Sequence, residues 1–154
     1  MAKIVTTGTD NLEKLLREYP VEVRQKVLGQ AVRRAGNVVK KRVRANAPVG
    51  DPNHKPENKP LRDSFAVKVV RYKNDALAMA IVGAKRPEGA HAHLVEDGHR
   101  IRRRGKKGEG PGDYTGAFVS GKEFLAPAAD QTKNEQTQSV IDHLVKSVEK
   151  YKVG

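Results

Sequence analysis

The sequence predicts an α+β fold: N-terminal helices and a C-terminal helix packed on a small antiparallel sheet, with a long basic loop. Three observations predict it. Apolar residues recur at helical spacing in two segments, one ending near Ala45 and one beginning near Ala128. Between them, residues 65–82 read as two short strands about a polar turn. Residues 97–122 then gather glycine and arginine, with too few apolar side chains to pack as a core element. A length of 154 residues fits one domain, 1–154, divided into an arm (1–8), helices (9–45), a loop (46–60), strands (61–96), a mobile basic loop (97–122) and a C-terminal helix (123–150).

Each element has a local cause. Asp10 and Glu13 form a capping-box-like start, Asp10 accepting orphan N–H groups. Leu12, Leu15, Leu16 and Tyr19 follow at helical spacing until Pro20, which suits the first turn of a new helix. From Val21 to about Ala45 an apolar stripe runs through Val23, Val27, Leu28, Ala31, Val32, Ala35, Val38, Val39 and Val43. The opposite face carries Arg24, Lys26, Arg33, Arg34, Lys40, Lys41, Arg42 and Arg44. Pro48, Gly50, Pro52, Pro56 and Pro60 exclude regular structure from 46 to 60.

Phe65, Val67 and Val69 then alternate with Ala66, Lys68 and Val70, Lys73-Asn74-Asp75 turns the chain, and Ala76–Val82 returns to Gly83. His91–Glu96 reads as a short third strand, and Tyr114–Val119 as a returning strand of the basic loop. Val140, Ile141, Leu144, Val145 and Val148 mark the buried face of the last helix.

Composition narrows the function classes. The absence of cysteine excludes disulfides, thiolate metal sites and cysteine nucleophiles. The first residues lack the apolar core of a signal peptide, and no apolar run reaches bilayer length, so a soluble protein made in the cytoplasm is expected, with no membrane partner. Only 37% of residues are hydrophobic, a modest core that neighbouring subunits would supplement. Thirty Lys and Arg against 18 Asp and Glu give a formal charge of +12, which favours polyanions or an acidic protein surface. The basic face of the long helix reads first as a solvated surface and second as one turned towards such a partner.

Few groups suggest chemistry. His91, His93, Glu96 and His99 are the one cluster with metal-ligating side chains, and it opens onto cations that would compete with a metal. No serine stands in an elbow or triad context, and the glycines of 105–121 match no phosphate-binding fingerprint. No enzyme and no cofactor are expected. Arg100, Arg102, Arg103, Arg104, Lys106 and Lys107 form a plausible tongue for the phosphates of duplex DNA, without sequence preference. Tyr114 and Phe118 are the only nearby aromatics, too few for reading single strands.

Three motifs carry a resemblance. Ala47-Pro48-Val49-Gly50 is followed by Leu61-Arg62-Asp63-Ser64-Phe65; Val82-Gly83 is followed by His93-Leu94-Val95-Glu96-Asp97-Gly98; and Phe124-Leu125-Ala126-Pro127-Ala128 enters the last helix. In this order they resemble the head–tail joining (neck or tail-completion) proteins of long-tailed bacteriophages, the gene-product-ten type. The insert after Gly50 is longer than in that pattern, Asp97 replaces an aromatic, and His99 replaces a threonine.

The resemblance implies a structural virion protein without catalysis. Copies would form a homo-oligomeric ring between the head connector or adaptor proteins and the tail terminator or tail tube proteins, with double-stranded DNA passing through non-specifically. On that reading the basic loop, and with it Arg33, Arg34, Lys40, Lys41 and Arg44, would face the channel or an adjacent ring. Pro48, Gly50, Leu61, Arg62, Gly83, Glu96, Gly98, Phe124 and Pro127 would be the structural positions. Charge alone supports a second reading, a basic nucleic-acid-binding protein that contacts the DNA backbone. A metal-dependent hydrolase using His91, His93 and Glu96 is a third.

Overall fold

Helix α1 (Val21–Asn46) is the first long element of the computed structural model, which describes residues 14, 17–49, 60–72, 77–103, 105 and 112–152. The predicted helix start at Asp10 and Glu13 and the turn at Lys73-Asn74-Asp75 lie outside these residues. Lys14, Arg17 and Glu18 are helical ahead of a break at Tyr19 and Pro20. Pro20 has no N–H to place, and its carbonyl accepts the Arg24 N–H at 3.0 Å, the first bond of α1. At the other end Pro48 follows directly on Ala47, whose N–H bonds Val43 at 2.8 Å. Proline disfavours helical geometry in the residue before it, so the helix stops there as the sequence predicts.

After a single turn of 3-10 helix (Leu61–Asp63) come strands β1 (Phe65–Tyr72) and β2 (Leu77–Ala84), helix α2 (Ala92–Asp97), strands β3 (Gly98–Arg102) and β4 (Tyr114–Ser120), and helices α3 (Leu125–Gln131) and α4 (Lys133–Lys152). The class is α+β, with two small antiparallel sheets, β1–β2 and β3–β4, in place of the one expected. The chain groups into two compact units: Met1–Lys40 with Val67–Val82 and Thr132–Gly154, and Lys41–Ala66 with Gly83–Gln131.

In the first unit Val27, Ala31 and Leu144 form a buried cluster, with Val23, Leu28 and Val140 packed around it. The predicted stripe of α1 therefore meets the predicted stripe of α4. Of the α4 positions, Leu144 and Val148 are buried while Val145 is 42% exposed, so the true buried face is narrower than the periodicity suggested. Gly36 lets α1 approach the β1–β2 sheet. A Cβ there would stand 2.7 Å from Val67 Cγ1 and 3.1 Å from Ala80 Cβ, closer than side chains pack.

The second unit is built around two rings. Phe65 and Phe124 are buried and meet edge to face, with centroids 5.8 Å apart and planes at 80°. Val43, Ala47, Leu61, Ala92 and Ala128 complete its apolar interior. Ser64 is buried but satisfied: its hydroxyl donates to the Leu61 carbonyl at 2.7 Å and its carbonyl accepts from the Lys85 N–H at 2.9 Å.

Three expectations are corrected. His91–Glu96 is not a strand: helix α2 occupies Ala92–Asp97, formed by Ala92, Leu94 and Glu96, good helix formers, and ended by Gly98 at φ +82°. The described parts of 97–122 are not a mobile loop, because β3 and β4 pair antiparallel. The single C-terminal helix is two, divided at buried Thr132, whose carbonyl and hydroxyl accept from the Gln136 N–H and side-chain amide at 2.8 and 2.9 Å. Gly83 lies within β2 with open space where a Cβ would stand, so the structure demands no glycine turn there.

The core assignment is tested by paired substitutions. Leu144→Ala should cost about 2–5 kcal/mol in urea unfolding. Its exposed neighbour, Val145→Ala, should change stability by no more than about 0.5 kcal/mol.

Candidate partner and nucleic-acid interface

The basic stretch after α2 folds into a hairpin. Gly98 pairs with Ser120, His99 with Val119, Arg100 with Phe118 and Arg102 with Tyr114, with a register shift between Arg100 and Arg102. Arg103 extends the ladder by donating its N–H to Asp113 at 2.9 Å. Thr115 Oγ1 donates to the Ile101 carbonyl at 3.1 Å. The Arg102 guanidinium lies 4.2 Å from the Tyr114 ring centroid and donates to its hydroxyl at 2.6 Å. Arg100, Arg102 and Arg103 are exposed, and all seven residues of β4 are exposed. Arg104, Lys106 and Lys107 lie outside the described residues.

What holds the hairpin is Glu96, at the end of α2. Its carboxylate accepts from the Phe124 N–H at 2.9 Å and from the Leu125 N–H at 3.0 and 3.1 Å, capping the start of α3 twenty-eight residues along the chain. Beside it, the Lys122 and Glu123 N–H groups donate to the carbonyls of Val95 and Glu96 at 2.8 and 3.3 Å. A Cβ at Gly121 would lie 2.1 Å from the Glu96 carbonyl oxygen, so no other residue fits this crossing. At Gly98 a Cβ would meet the Val119 carbonyl at 2.5 Å, in a backbone conformation that already favours glycine. Pro127 sits in the first turn of α3, where its missing N–H costs nothing.

The remaining expected positions divide by role. Leu61 is buried beneath the 3-10 turn, while Arg62 is exposed. Gly50 lies outside the described residues. On α1, Arg33, Arg34 and Lys41 are exposed and Lys40 is half-buried. Arg44 is committed to an ion pair with Asp63, which removes it from the set of free cations. Arg34 lines a cleft of about 290 Å³ with Val38, Glu135, Gln138, Ser139, Asp142, His143 and Lys146. Glu135 and Asp142 therefore offset part of its field.

The histidine cluster does not assemble as a strand face. His91 caps α2 and His93 follows on the helix, where residues two apart diverge. Glu96 gives its oxygens to amides, and His99 Nδ1 lies 3.4 Å from the Leu94 carbonyl. Among the described residues no group of three His, Asp or Glu could hold a metal ion. Among them, too, no helix is long and apolar enough to cross a membrane.

The positions that sequence reasoning passed over are Gly121, Asp63 and His143. Gly121 was one glycine among many, and the Asp63 partner lies nineteen residues away. His143 Nε2 is buried without a hydrogen-bond partner. Burial, and then the nearby Arg34 charge, hold its pKa below the ordinary imidazole value.

Compared with known proteins, the chain matches the family model of the bacteriophage HK97-gp10-like tail components over residues 9–98. That span covers more than half the chain and contains the first two motifs, Pro48 to Phe65 and Val82 to Gly98. No curated protein and no solved structure matches.

Two outcomes follow. Glu96→Ala should cost about 2 kcal/mol and speed hydrogen exchange at the Phe124 and Leu125 amides, whereas Glu96→Gln, keeping one acceptor, should lose roughly half of that. His143 binds its proton less readily folded than unfolded, so its contribution to stability is complete above the ordinary value and lost as pH falls through its lowered one. Unfolding midpoints compared at about pH 7.5 and pH 5 should show a smaller acid-side loss for His143→Gln than for the natural chain.

Proposed function

Because the chain belongs to the HK97-gp10-like family of bacteriophage tail components, we propose that it is a structural protein of the phage neck. In this reading its copies form a ring that joins the connector of the DNA-filled head to the tail and lines the DNA passage. The observation that carries the reading is the family match over residues 9–98. The formal charge of +12 supports it, since a ring around DNA must present a compatible potential to a polyanion.

The partners in this reading are other copies of the chain, the head connector or adaptor proteins, the tail terminator or tail tube proteins, and double-stranded DNA. The protein belongs to the virion and assembles in the host cytoplasm. Arg100, Arg102, Arg103, Arg104, Lys106 and Lys107 face the channel or an adjacent ring, as do Arg33, Arg34, Lys40 and Lys41 of α1. Contact with DNA is to phosphates and carries no sequence preference, so DNA of any sequence can pass. Joining two rings is a matter of complementary surfaces and requires no bond-making step. The charge of +12 also supports a second reading, a DNA-backbone-binding protein acting alone. That protein would bind duplex DNA tightly as a monomer, with a steep salt dependence.

Electron microscopy of a lysate from the parent phage with this gene interrupted tests the proposal. Filled heads and finished tails lying unjoined are the expected result. Normal infectious particles would exclude the neck role. Changing Arg100, Arg102 and Arg103 together to Glu should lower the yield of infectious particles by about tenfold or more, as loss of an interface hot spot does.

A further inference from the structure

The β3–β4 hairpin exposes more apolar surface than a DNA contact has use for. Phe118 is 59% exposed and Tyr114 52%, with Ile101 and Val119 at about two-fifths. A two-stranded hairpin gains little stability in water by itself, so bare aromatics on it need a reason beyond the local fold. Arg100 pairs with Phe118 and Arg102 with Tyr114, so each cation stands beside an aromatic ring on the same face. Stacking on Tyr114 holds the Arg102 guanidinium in place before any partner arrives.

We propose that this Arg100–Phe118 and Arg102–Tyr114 face is a docking surface for an acidic, partly apolar patch on a different structural protein of the particle. The inference rests on the neck reading and assigns the hairpin to the adjacent ring instead of the DNA. Arginine, tyrosine and phenylalanine together are the residue types that dominate protein interfaces. Duplex DNA offers phosphates to cations and keeps its bases stacked, so it gives the Phe118 ring nothing to cover it. Charge selects the partner. Neither strand contains a carboxylate, so the complementary surface is acidic. The same charge disfavours a second copy presenting this face to its twin.

Two charge-conserving variants, Phe118→Ser and Arg102→Lys, separate the possibilities in the parent phage. Each should lower the infectious titre by about tenfold or more, with filled heads and tails apart. Both side chains are exposed, so the purified variants should keep the thermal midpoint of the natural chain and its salt-dependent affinity for a duplex oligonucleotide. Full titre from both variants would overturn the proposal. A fall in titre matched by lost duplex affinity would assign the hairpin to DNA and overturn it equally. So would sedimentation in which the natural chain self-associates through a contact that Phe118→Ser abolishes, since the partner would then be another copy. Failure of the neck reading is seen separately, as joined particles after the gene itself is interrupted.

Discussion

One carboxylate closes the second unit. Glu96 ends α2 and caps α3, and β3 and β4 pair between these two helices. Charge-assisted bonds to two backbone amides outweigh what a neutral cap would provide. The crossing beside them is so close that glycine is required at 121, and the turn out of α2 requires a positive φ at Gly98. Phe124 is carried by the same segment onto Phe65, so the cap and the aromatic pair reinforce each other. Were the carboxylate removed, two amides would lose their acceptor and the base of the hairpin its clamp.

That clamp explains how the cationic strand β3 and its partner β4 are held at their base. The strands contribute almost nothing to a buried core, since every residue of β4 is exposed. Order is supplied at the base by Glu96 and along the ladder by backbone pairing, while the exposed Arg102–Tyr114 stack orients the guanidinium. The hairpin is thus anchored at its base, half-buried at Gly98 and His99, and exposed along β4. The first unit shows the same economy, with a core of small aliphatic side chains and a helix admitted close to the sheet by Gly36.

The cations of the chain are not equivalent, although the net charge treats them so. Arg44 is spent on Asp63, and Arg34 shares its cleft with Glu135 and Asp142. Arg100 and Arg102 stand on β3, and neither β3 nor its partner β4 contains a carboxylate. Their field is therefore less compensated than that of Arg34 or Arg44. Membership of a phage tail-component family gives such a surface a setting in which it meets other virion proteins.

The sequence by itself determined the α+β class, the limits of α1, the β1–β2 strands and, apart from Val145, the apolar stripe of α4. Each of these is written in local terms: a period of 3.6 or 2, a proline after Ala47, alternation from Phe65. It also carried the family, through motifs at Pro48, Leu61, Glu96 and Gly98. Only the tertiary structure decided that His91–Glu96 is helical and that the glycine–arginine stretch begins as a strand, Gly98–Arg102, paired with the returning strand the sequence placed at Tyr114–Val119. The reason is that both depend on partners far along the chain. The Glu96 carboxylate finds amides at 124 and 125, and Arg100 and Arg102 find Phe118 and Tyr114. Arginine at alternate positions hides a strand from any count of apolar residues, because its stability comes from the opposite strand and its face remains in water.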